Sequence, residues 1–113
     1  MADWEMQRRA QVQEFLNAKE RGDVDAALRL CSGMMLIITD ADGDLFGEEA
    51  VAKYIERGRG RKVHLNPDFG YQEKPRSVTV VGREKHHVVF SRQQKYDFHF
   101  EDSRIRALVV SNL

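Results

Sequence analysis

The chain has 113 residues, 42% of them hydrophobic, which suits one domain (residues 1–113) with a single core. Its 18 basic and 18 acidic residues cancel, so no global field holds nucleic acid or an anionic membrane, and neither is expected as a partner. A lone cysteine, Cys31, excludes an intrachain disulfide; with a polar start instead of a signal peptide and no membrane-length apolar run, the expected location is cytoplasmic.

Asp3 can cap a first helix, in which Val12, Phe15, Leu16 and Lys19 follow i, i+3, i+4, i+7 spacing. Lys19 can lay its stem along that apolar stripe. Gly22 ends the helix, and Asp23 caps a shorter one with Ala27, Leu30 and Cys31 on its apolar side. Ser32-Gly33 stops it. Met34 to Thr39 is an apolar run of strand length, Asp42-Gly43 a tight turn, and Asp44-Leu45-Phe46 the return strand. Glu48 and Glu49 open a third helix that Arg57 and Arg59 close, each end suiting the helix dipole. Val51, Tyr54 and Ile55 form its buried stripe, and Gly58 is the stop.

From Lys62 onward the pattern is strand-like, interrupted between Pro67 and Pro75. Ser77 to Val81 is a strand, Gly82 begins a turn, and His87 to Ser91 is the next strand. The last hairpin turns at Asp102-Ser103, setting Phe100 opposite Ile105, Phe98 opposite Ala107 and Tyr96 opposite Val109. On its other face Glu101 meets Arg104 and His99 meets Arg106. Helices early and strands late indicate an α+β domain with helices on one face of a curved sheet.

Three clusters invite a chemical reading. Asp40, Asp42 and Asp44 alternate as in a calcium loop, but Leu45 and Val51 stand where its glycine and bidentate glutamate belong. A hairpin turn is expected there, and no metal. Adjacent His86 and His87 point to opposite faces of a strand and cannot chelate together, whereas His64 or His87 could reach a pocket as acid or base. Cys31 has no basic neighbour to activate it and reads as structural. Arg57-Gly58-Arg59-Gly60-Arg61-Lys62 is the one basic cluster; without interleaved aromatics it reads as a solvated helix end before a phosphate or RNA site.

The order of elements resembles the NTF2-like (cystatin-like α+β) superfamily, in its SnoaL-like and ketosteroid isomerase-like branch. The similar residues are Phe15-Leu16-Asn17, Arg21-Gly22-Asp23-Val24-Asp25-Ala26-Ala27-Leu28, Leu45-Phe46-Gly47-Glu48-Glu49-Ala50-Val51 and Phe98-His99-Phe100-Glu101-Asp102-Ser103-Arg104-Ile105. The resemblance implies a cone: three helices over a concave, mostly antiparallel sheet, with a pocket between and a homodimer through the outer sheet face. Phe15, Thr39, Tyr54, His64, His87 and Phe98 would line the pocket. The branch's base aspartate falls on Asp40 or, one residue earlier, on Thr39. Its two oxyanion donors fall on Phe15, which cannot donate, and Tyr96, which can.

Function does not follow from this fold, which hosts many activities. The expected role is a dimeric domain whose apolar pocket binds a small ligand or a partner. The alternative is an isomerase or dehydratase with Asp40 as base and Tyr96 as donor on a small apolar substrate. Neither needs a metal or a redox cofactor.

Overall fold

A computed structural model describes residues 3–39 and 43–113. Helix α1 (Asp3–Arg21) is followed at once by α2 (Val24–Leu30). Gly22 makes this junction possible. It adopts φ +69°, where its N–H donates to Lys19 O and that of Asp23 to Ala18 O, closing the last turn of α1. Asp23 then caps α2, its carboxylate accepting from Ala26 N at 3.1 Å.

The chain passes from α2 straight into β1 (Cys31–Thr39). Ser32-Gly33 is therefore no helix stop, because Cys31 is already extended at φ −103°, ψ 152°. Strand β2 (Gly43–Phe46) pairs back antiparallel, Thr39 opposite Gly43, and leads into α3 (Gly47–Arg57). Next come β3 (Lys62–Leu65), β4 (Gln72–Lys74), β5 (Ser77–His86), β6 (Val89–Phe90), β7 (Gln94–Glu101) and β8 (Arg104–Asn112).

The sheet runs β2-β1-β8-β7-β5-β3, with β4 and β6 paired to β5. It is mixed, since β1 lies parallel to β8 while the other pairs are antiparallel. The three helices pack on one face of this curved, unclosed sheet, an α+β architecture. At the centre the Phe15 ring meets Phe98 edge-on at 5.6 Å and stacks on Tyr54 at 6.2 Å. Arg8 ties α1 to the far end of the sheet, donating to Asp102 O at 2.6 Å with its guanidinium 4.6 Å from the Phe100 ring centre.

Two strand expectations are corrected. Gly82 does not begin a turn; β5 runs through it to His86. A Cβ there would lie 2.8 Å from His64 O, so the glycine marks the close approach of β3 to β5. The turn comes later, at His87-Val88, with His87 at φ 58°. His87 to Ser91 is thus a turn and a two-residue strand, and the His86 and His87 rings lie 4.3 Å apart.

The last hairpin keeps its expected register for Glu101–Arg104 and Phe100–Ile105, then slips by one residue. Arg106 is the extra residue of a bulge, so His99 faces Ala107, Phe98 faces Leu108 and Tyr96 faces Val110. The reason is burial: Ile105, Leu108 and Val110 are the core residues of β8, and 105-108-110 has period two only with a bulge between its first two members.

Candidate functional site

The inner faces of four neighbouring strands share one gradient. On β1 the sequence toward the helices runs Met35, Ile37, Thr39; on β8, Leu108, Val110, Asn112; on β7, Phe98, Tyr96, Gln94; on β5, Val78, Val80, Gly82, Glu84. Each run is apolar at the closed end and polar at the other. The polar ends converge on a cavity of about 430 Å³, lined by Thr39, Glu84, Gln94, Val110 and Asn112 from the sheet. Lys19, Tyr54, Arg57, Gly58 and Arg61 complete its wall from the helix side.

Lys19 is the central group. It stands on the buried stripe of α1, seven residues after Val12, and its side chain is only 2% exposed. Gly58 lets it through: a Cβ at Gly58 would lie 2.5 Å from Lys19 Cγ. Beyond that glycine the ammonium reaches Glu84 Oε1 at 3.0 Å and donates to Arg61 O at 3.3 Å. It also sits 5.9 Å from the centre of the Tyr54 ring. Burial pulls the Lys19 ammonium below the usual lysine range, and the Glu84 carboxylate opposes that pull.

Two phenols flank the pair. Tyr96 is fully buried behind the wall, its hydroxyl 3.2 Å from Gln94 Oε1 and 3.5 Å from Glu84 Oε1. Tyr54 lines the cavity, and its buried hydroxyl has no hydrogen-bond partner among the described residues. Burial raises both phenols well above the ordinary tyrosine value, with the Glu84 charge adding to it, so both stay protonated and able to donate.

The expected site residues separate as follows. Thr39 and Tyr54 line the cavity. Asp40 lies outside the described residues. Phe15 and Phe98 are sealed in the core against each other and do not line this cavity. His64 is exposed on β3 against Phe90, and His87 is exposed in a turn, so neither reaches the cavity. The cavity wall mixes apolar surface with charge: among the described residues Lys19, Arg57, Arg61 and Glu84 line it beside Tyr54 and Val110. Sequence reasoning missed Lys19 and Glu84 as site residues, although continuing the period-two pattern past Gly82 would have reached Glu84. Among the described residues no cluster of His, Cys, Asp and Glu could hold a metal.

This fold has many solved counterparts. An NTF2-like protein of unknown function from Cytophaga hutchinsonii superposes with TM-score 0.75 at 18% identity, over 91% of this chain and 87% of its own. A SnoaL-like protein of unknown function from Burkholderia thailandensis gives TM-score 0.76 at 18% identity, over 100% of this chain and 98% of its own. A protein from Xanthomonas campestris, provisionally assigned as a polyketide cyclase, gives 0.72 at 17%, over 96% and 91%. No family model and no curated protein matches the sequence. The chain therefore has the NTF2-like, SnoaL-like fold, and identities this low speak to fold alone.

Proposed function

We propose that this chain is a small-molecule-binding domain of NTF2-like fold, whose ligand presents an acidic, oxygen-rich group to the cavity. The carrying observation is the Tyr54 hydroxyl, buried in the cavity wall without a partner among the described residues. A buried donor left unpaired costs about 1–3 kcal/mol, which a ligand oxygen accepting from Tyr54 would recover. Arg61 on the wall, beyond the paired Lys19 and Glu84, favours a carboxylate on that ligand.

The test is calorimetric titration with a panel of small mono- and dicarboxylic acids, repeated on Tyr54→Phe. Loss of one such hydrogen bond should weaken a binder about tenfold. A panel without binders, or equal affinity in the variant, rejects the reading. The isomerase or dehydratase alternative requires Asp40, which lies outside the described residues. It also requires an available Tyr96 hydroxyl, and that group is engaged with Gln94 and Glu84.

We infer further that the domain pairs through its outer sheet face. Met34 is 76% exposed there, and Leu36, Ile38, Ala107 and Val109 extend the apolar strip as half-buried neighbours. Leu108, which an unbulged register would place on this face, is turned into the core. Val109→Glu is the suitable variant, and an unchanged sedimentation profile counts against the dimer.

A further inference from the structure

Two features lie beside the cavity: the apolar tip of the β5–β6 hairpin, and Lys62 at the end of the basic segment whose Arg57 and Arg61 line the cavity wall. At the tip, Val88 is 87% exposed, Val89 67% and Phe90 48%. Strand pairing brings the two features together. Lys62 lies opposite Lys85, Lys85 opposite Phe90, and His64 opposite Arg83. Directly opposed residues share a face, so Lys62, Arg83 and Lys85 surround Phe90 on one side of the edge. The Lys85 ammonium is 5.4 Å from the Phe90 ring centre, and the His64 ring 5.5 Å from it.

Residues 57–62 and 83–92 together hold seven lysines and arginines (Arg57, Arg59, Arg61, Lys62, Arg83, Lys85, Arg92) and one acid, Glu84. That acid is on the inner side, bound to Lys19. We propose that this end of the molecule docks on an anionic membrane surface. Val88 and Val89 enter the boundary between headgroups and acyl chains, while Lys62, Arg83 and Lys85 meet lipid phosphates.

The form of the patch selects this occupant. The apolar residues stand on a protruding hairpin and form no groove, so they suit insertion better than reception of a helix or strand. The collar of cations selects a negative surface. Zero net charge does not oppose this, because screening at about 8 Å makes the local cluster decisive over the chain-wide sum.

The test is flotation with phosphatidylcholine vesicles, with and without phosphatidylserine. Binding should strengthen about tenfold with phosphatidylserine and fall about as much in high salt. Val88→Asp/Val89→Asp and, separately, Lys62→Glu/Lys85→Glu should each abolish the gain. A Val88→Trp chain that also carries Trp4→Phe should be quenched by brominated lipid on binding, which reports insertion independently of any loss of fold. No preference for phosphatidylserine, undiminished binding by the Val88/Val89 variant, or absent quenching overturns the proposal. So does self-association, without vesicles, that the same variants abolish: a second copy would then cover the tip.

Discussion

The Lys19 ammonium and the Glu84 carboxylate meet 3.0 Å apart, one delivered by the last turn of α1 and the other by the end of β5. Gly58 allows the contact by leaving room for the lysine stem. The two partners are unequally buried, at 2% and 18% side-chain exposure.

That inequality predicts unequal mutational costs. Glu84→Leu strands the ammonium in the interior and should cost about 3 kcal/mol. Lys19→Met leaves a carboxylate with some access to water and should cost only about 1–2 kcal/mol. Combining both changes should cost less than their sum by about 1 kcal/mol or more. Urea unfolding of the three variants measures this, and additive losses would show that the contact contributes nothing.

The tyrosines predict an alkaline limit on stability. Burial raises Tyr54, Tyr71 and Tyr96 above their ordinary value of 10.0. A raised folded value means that their contribution is fully present below about pH 10 and lost above it, as the unfolded chain ionises first. Lys19, lowered in the fold, acts oppositely: stability from its titration rises toward its ordinary value of 10.5. Ultraviolet titration should therefore show far less tyrosinate in the native protein at pH 10 than in urea. Equal titration curves would remove this account.

Gly82 should tolerate no side chain. Gly82→Ala places a methyl group 2.8 Å from the His64 carbonyl oxygen, which is backbone and cannot rotate away. The expected loss is about 1–3 kcal/mol, typical of overpacking. A thermal melt unchanged by the substitution would mean that β3 yields freely.

Cys31 should be inert in the fold. Burial alone pushes its thiol up to about 12, and it is 3% exposed. A disulfide reagent at pH 8 should label it only after unfolding, so labelling at the rate of a free thiol would place it at the surface.

Much of the architecture was legible because local signals agreed. Gly22, Asp23 and the stripes of α1 and α3 mark their elements by capping chemistry and period, and the structure keeps them. Errors arose where one residue type serves two purposes. Gly82 reads as a turn in sequence, yet it is a packing glycine whose reason, His64 O, lies 18 positions away. The slip after Phe100 has no local signal, because Ala107 and Val109 are apolar like Leu108 and Val110 and either register gives an apolar face.

The site was the least legible part. Lys19 looked like a stem covering an apolar stripe, and Glu84 like a turn residue beyond a strand. The sequence alone determined an α+β order of elements, the Gly22–Asp23 junction and the apolar faces, because these depend on neighbours within a few positions. Tertiary structure decided that four strand ends turn polar at one place, and that Gly58 opens the way from Lys19 to Glu84. A contact across 65 positions depends on strand pairing and helix placement, and no local pattern encodes either.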